Sequence, residues 1–214
     1  MFDDLTEEFS CEKGKHESKK ERAQKGCLGQ NNLTYGEIMF ESIAQCMHFI
    51  KNKYGAFQKQ GGTFVDLGHG TGKGILTACL MHSFDKCVGV ELLGNLYKQS
   101  LQLKQEYDEY AEGQDRAAKF EVHHGDMLEV DWKDADLVLA NSTCFDQDLL
   151  NKIADKCSLL KKGSWMFTLT KKLPSAESDW YADDSIAREW ECVMSIKREM
   201  SWGLATVHIQ RKII

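Results

Sequence analysis

An apolar run that breaks on three alternate glycines constrains this chain more than any other feature. Thr63-Phe64-Val65-Asp66-Leu67-Gly68-His69-Gly70-Thr71-Gly72-Lys73-Gly74 opens on β-prone residues carrying one acid, Asp66. Ile75 to Met81 then resumes as an apolar helical pattern. Strand, tight turn and helix in that order open an α/β nucleotide-binding unit. Glycine suits a stretch whose backbone must pass close to a ligand with no Cβ in the way.

Two phosphate-binding patterns come near this stretch and fail. The lysine loop of nucleoside triphosphatases needs a glycine where Leu67 stands, and Ser or Thr where Gly74 stands. The dinucleotide fingerprint G-x-G-x-x-G needs its last glycine at position 73, which is lysine. What fits is acid-x-Gly-x-Gly-x-Gly, which resembles the first motif of class I S-adenosylmethionine (SAM) methyltransferases.

At 214 residues the chain suits one α/β domain with a short extension. No apolar run approaches the ~20 residues of a membrane span. The acidic opening Met1 to Glu8 lacks the apolar core of a secretory signal. Eight cysteines are scattered with no C-x-x-C pair. That pattern points to reduced thiols in a nuclear or cytoplasmic protein rather than to disulfides or zinc. A net charge of −6 argues against a surface that binds nucleic acid everywhere, while leaving room for one basic patch.

Residues 1–30 are polar, mixed in charge and without clear periodicity, so a flexible arm is expected there. Lys13, Lys15, Lys19, Lys20, Arg22 and Lys25 fall within it, and such an arm offers weak, non-specific phosphate contact. Tyr35-Gly36-Glu37 leads into a helix with Ile38, Ile43, Met47 and Ile50 on its apolar face. Residues 31–60 thus form a leading loop and helix, and 61–214 the main domain.

Lys86 to Glu91 reads as a second buried strand ending on an acid. Glu91 lies 25 residues after Asp66, where nucleotide-binding folds place a carboxylate for ribose hydroxyls. A long helix follows, and Phe120 to His124 is the third strand, with Asp126 just past its end, suited to an adenine amino group. His123 and His124 face opposite ways on that strand and have no evident third partner, so no metal is expected. Ala135 to Ala140 is the fourth strand, which delivers Asn141 to the crevice beyond the strand ends. Methyltransferases acting on nucleobase amines or glutamine usually carry Pro-Pro after this residue. The chain has a single proline, Pro174. A fifth strand spans 164–170. Two terminal strands, with Trp190 to Ile196 alternating, an Arg198–Ser201 turn and Ala205 to Ile209, form a hairpin. The whole predicts a doubly wound, mostly parallel α/β sheet of class I methyltransferase type. It carries a C-terminal antiparallel hairpin and a short N-terminal helical extension.

From about Leu33 to Ile214 these pieces resemble the disruptor-of-telomeric-silencing histone lysine methyltransferases, the non-SET class. Tyr35-Gly36-Glu37 is similar to that family's Tyr-Gly-Glu on the loop covering SAM, and Val65 to Gly72 to its Val-Asp-Leu-Gly-Ser-Gly-x-Gly. Gly89-Val90-Glu91 resembles Gly-Val-Glu, and Gly125 to Leu128 resembles Gly-Asp-Phe-Leu. Asn141 to Phe145 resembles Asn-Asn-Phe-Ala-Phe, Leu160 to Ser164 Leu-Lys-x-Gly-Gly, and Ser201-Trp202 a Ser-Trp beside the lysine channel. Lys73 stands where the family usually has Gln, and Ser142-Thr143 where it has Asn-Phe.

The resemblance implies a nuclear, SAM-dependent lysine methyltransferase for the core of histone H3 on nucleosomes. It implies that Asp66, Gly68, Gly70, Lys73, Glu91, Asp126 and Met127 hold SAM, with Tyr35 and Glu37 at its methionine end. Asn141 is implied to face the methyl group, with Phe145 and Trp202 at the lysine entry. A lysine ammonium, pKa ~10.4, cannot attack a methyl group, so such an enzyme needs a dry, narrow channel more than a strong base. Two alternatives remain open from the residues. One is a methyltransferase for a non-histone protein or RNA, and the other is a non-catalytic SAM-binding subunit.

Overall fold

The computed structural model describes residues 1–174 and 189–214. Seven strands form one sheet, β1 (Thr63–Leu67), β2 (Lys86–Glu91), β3 (Lys119–His124), β4 (Leu137–Ala140), β5 (Trp165–Leu169), β6 (Trp190–Met200) and β7 (Gly203–Lys212). Six α-helices accompany them among the described residues: α1 (Phe2–Thr6), α2 (Cys11–Gln24), α3 (Phe40–Tyr54), α4 (Lys73–Met81), α5 (Gly94–Ala111) and α6 (Gln147–Cys157). Strand order is β3-β2-β1-β4-β5-β7-β6, with β7 alone running against the rest. Order reverses between β1 and β4, so a crevice opens beyond their carboxyl ends.

Central strands are apolar on both faces because helices cover both. Phe64, Ile75, Leu103 and Phe167 anchor one core, and Leu67, Val138, Ile153 and Met166 the other. Parallel pairing in register, Leu67 to Val90 and to Ala140, brings the ends of β1, β2 and β4 level. That is what aligns Gly68, Glu91 and Asn141 along one rim.

Three expectations need correction. Residues 1–30 are not a loose arm: α1 and α2 form and dock. Helix α2 escapes a periodicity search because its buried stripe, Gly14, Ser18 and Glu21, contains no apolar side chain. Helix α3 starts at Phe40, later than Tyr35-Gly36-Glu37 suggests, because Ile38 bridges to Met200 in extended form. The C-terminal hairpin turns at Ser201-Trp202, since β6 stays paired through Met200 and absorbs an irregularity between Cys192 and Met194.

Candidate active site

A cleft of about 480 Å³ opens at the strand ends. Its walls include Tyr35, Gly68, Glu91, Asp126, Met127, Asn141, Phe145 and Trp202. A narrow recess of about 30 Å³ adjoins it and shares Tyr35, Gly68 and Asn141, adding Glu37, Asp66 and Lys73. Gly70 lines neither space and lies behind the wall.

The glycine turn works through its backbone. Gly68, Gly70 and Gly72 all have positive φ, and Gly72 leads straight into α4. The Gly70 N–H donates to Glu91 Oε2 and the Leu93 N–H to Oε1, each at 2.8 Å. Glu91 is thereby fixed at the mouth of α5. Burial raises its pKa, against the pull of these amide bonds. Asp66 is buried below the turn, and burial followed by the nearby Glu91 charge pushes its pKa up to about 8. His69 is packed against Gly89, and burial lowers its pKa to about 3, so its ring is neutral. At the end of β3, Asp126 Oδ1 accepts from the Leu128 N–H at 2.8 Å, and the Met127 methyl lies over Gly68.

The opposite wall is a loop, residues 30–39, tied at several points. Tyr35 Oη donates to Glu37 Oε1 and lies 2.9 Å from Thr71 Oγ1. Lys73 Nζ reaches Glu37 Oε2 at 2.9 Å, with both side chains largely buried. Burial and the Glu37 charge raise the Tyr35 pKa, so the phenol keeps its proton. The Tyr35 ring is sandwiched between glycines: a Cβ on Gly14 or Gly70 would stand 2.4 Å from a ring carbon. Gly36 has the same relation to Trp202, with 2.5 Å to its ring. The Glu37 N–H donates to Ser201 Oγ, and the Ser201 N–H returns a bond to the Glu37 carbonyl, both at 2.9 Å. At the outer end Asn32 and Asp146 exchange two hydrogen bonds.

Asn141 ties this loop to β4. Its Nδ2 donates to the Gly36 carbonyl at 3.1 Å, and its buried Oδ1 has no partner. Phe145 is buried at the cleft wall, whereas Trp202 is 38% exposed at its lip. Ser142 does not face the cleft. It is fully buried and bonds to Leu169 and Lys171, so only Thr143 of that pair lines the opening. His124 stacks on Tyr97.

Sequence reasoning missed five of the leucines that line the cleft, Leu33, Leu93, Leu96, Leu128 and Leu149. Each reads as ordinary core, and nothing in its spacing separates a cleft-facing leucine from a buried one. Asn32 and Asp146 were hidden for another reason: their pairing joins residues 114 apart.

A seven-stranded sheet of this order, with one reversed strand and a glycine turn at the switch point, defines the class I methyltransferase fold. Solved structures agree. An RNA methyltransferase from Salinibacter ruber, in complex with S-adenosyl-L-homocysteine, superposes with a TM-score of 0.55 at 16% identity, over 82% of this chain and 92% of that one. Magnesium protoporphyrin IX methyltransferase from Synechocystis, with bound SAM, gives 0.56 at 12%, over 81% and 79%. No curated protein sequence matches. The family model for histone methylation protein DOT1 matches residues 26–208, and the chain belongs to that family. It is a SAM-dependent methyltransferase.

Proposed function

We propose that this chain methylates a lysine in the core of histone H3 on nucleosomes, acting in the nucleus. Family membership supports the histone acceptor. The residue-level reading rests on one observation: Asn141, whose buried Oδ1 has no partner, lines the same cleft as Phe145 and Trp202. A buried amide oxygen without a partner costs about 1–3 kcal/mol. An incoming amine N–H supplies that partner.

The remaining residues suit SAM, which when bound supplies a methyl group carried on a positive sulfonium. Glu91 keeps both oxygens at the cleft for ribose hydroxyls, and Asp126 with Met127 takes the adenine. Apolar leucines cover its ring. Glu37 and Lys73 present one charge of each sign beside Tyr35, matching the amino and carboxylate groups of the methionine end. Asp66, Gly68 and Gly70 form the floor of the site and its support. Residues 31–60 cover the cofactor, and 61–214 carry the reacting groups.

On the acceptor side the chain's task is to dry and aim an amine. Phe145 and Trp202 exclude water, which favours the neutral amine over the ammonium. Asn141 Oδ1 accepts from the amine and points its lone pair along the cleft, a positioning effect. Asn141→Ala is expected to leave S-adenosylhomocysteine affinity near wild type while lowering kcat roughly 10²-fold. Calorimetry and single-turnover methyl transfer check the split, and unchanged turnover contradicts the role.

A further inference from the structure

The turn that follows β5 is strained. Thr170, a β-branched residue, has a φ of 63°, in the left-handed region, an arrangement that costs on the order of 1–3 kcal/mol. The Lys171 N–H donates across it to the Leu169 carbonyl at 2.6 Å, closing a three-residue turn. Neighbours hold that turn from two sides. The Thr170 N–H donates to the Thr206 carbonyl of β7 at 2.7 Å. Buried Ser142 Oγ lies 2.7 and 2.8 Å from the Leu169 and Lys171 carbonyls and accepts from the Leu169 N–H at 3.1 Å. Strain kept in place this firmly points to a use for the side chain it presents.

That side chain is a hydroxyl. Thr170 Oγ1 stands 3.1 Å from Thr143 Oγ1, and either can donate to the other. Thr143 lines the cleft and is half-buried, whereas Thr170 is exposed. The pair therefore runs from the cleft to bulk water. His208 Nε2 donates to the Thr170 carbonyl at 3.3 Å, and its Nδ1 accepts from Ser195 Oγ at 2.8 Å. Burial lowers the His208 pKa, so above pH 7 the ring adds no charge here. The charges beside the turn are engaged: Lys171 Nζ donates to the Phe145 carbonyl, and Asp146 is bonded to Asn32.

We infer that Thr143 and Thr170 form the route by which the acceptor ammonium loses its proton, an inference that rests on the lysine reading above. The ammonium N–H donates to Thr143 Oγ1. As that proton crosses, Thr143 passes its own hydroxyl proton to Thr170, and Thr170 releases one to water. Both hydroxyls end neutral, and the nitrogen keeps the electron pair of the broken N–H bond. Rotation about the Cε–Nζ bond then leaves that pair free to face the methyl donor. A wall that excludes water still needs an exit for this proton. A threonine hydroxyl both accepts and donates, so it can pass a proton on, whereas the amide oxygen of Asn141 only accepts. The two residues thus divide the work: Asn141 aims the amine, and the threonine pair makes it neutral.

The test is single-turnover methyl transfer to intact nucleosomes and free histones, measured from neutral pH upward toward the ~10.4 of a free lysine amine. Thr143→Val and Thr170→Val keep the branched shape and lose the hydroxyl, while Thr143→Ser and Thr170→Ser keep the hydroxyl. At neutral pH the valine variants are expected to fall roughly 10²-fold, the scale of a lost proton-transfer group. That deficit narrows as pH rises, because the amine then arrives already neutral. The serine variants stay near wild type, and S-adenosylhomocysteine affinity by calorimetry is unchanged in all four. Glu91, Asp126, Asp146, Lys171 and His208 are common to every variant, so the ratio to wild type reports the hydroxyls. A deficit of the same size at every pH overturns the proposal. So does an equal loss in the serine variants, a wild-type rate in the valine variants, or a fall in S-adenosylhomocysteine affinity. A wild type that methylates no lysine overturns this route and the lysine reading together, whereas the other outcomes leave that reading standing.

Discussion

The two walls of the cleft differ in how far along the chain they must reach. The glycine-turn wall comes from one contiguous stretch, Thr63 to Glu91, in which each strand end delivers its residue by register alone. The facing wall joins Gly36 to Asn141 and Glu37 to Ser201, contacts that span 105 and 164 residues. A wall made locally survives modest changes elsewhere. A wall made from distant pieces depends on the whole sheet, on the packing of α2 and on the hairpin, so it is where a substitution separates binding from turnover.

Changes in the first wall should act on cofactor affinity. Glu91→Ala removes the acceptor of two loop N–H groups along with the proposed ribose contact, and hydrogen bonds to a charged group contribute about 1.5–3 kcal/mol. S-adenosylhomocysteine affinity is expected to fall roughly 10–100-fold. Calorimetry showing no loss removes Glu91 from the ribose site. Changes in the second wall should act on turnover. Gly36→Ala forces a methyl group into the Trp202 ring, so methyl transfer should fall about 10-fold, on the scale of a misplaced positioning group. Cofactor affinity should fall less, because Tyr35 and Glu37 on either side stay tied to Thr71 and Lys73. Equal losses in both readouts would erase the distinction between the walls.

A smaller effect comes from Asp66. Its carboxyl is raised from 3.8 to about 8 in the fold, so the folded protein binds the extra proton between those values. Stability conferred by the protonated form is therefore present at low pH and lost as pH rises toward 8. The slope is at most about 1.4 kcal/mol per pH unit. Thermal unfolding of the ligand-free protein should show Tm falling as pH rises through this window, and falling less in Asp66→Asn. A wild-type Tm that climbs over the same range would contradict the assignment.

Legibility in the sequence followed the same division. The places of Asp66, Gly68, Glu91 and Asp126 around the cleft were readable because a strand, a turn and an acid at a fixed step form a local pattern. Asn141 was readable from its place after an apolar strand. The docking of α2 was not, because a helix held by a glycine, a serine and a buried glutamate leaves no hydrophobic period. Ser142 was readable by position and not by direction: its place after β4 suggests the cleft, yet its hydroxyl bonds to the β5 end. The sandwich of Tyr35 between Gly14 and Gly70 shows why. Each glycine has a local meaning in its own segment, and the contact that uses both exists only after folding.

The most direct test of the central claim is transfer of radiolabelled methyl from SAM, with intact nucleosomes, free histones and total RNA assayed in parallel. The account predicts label on a lysine of histone H3, strongest on nucleosomes. Label on RNA alone, or SAM binding with no label on any of the three, would contradict it.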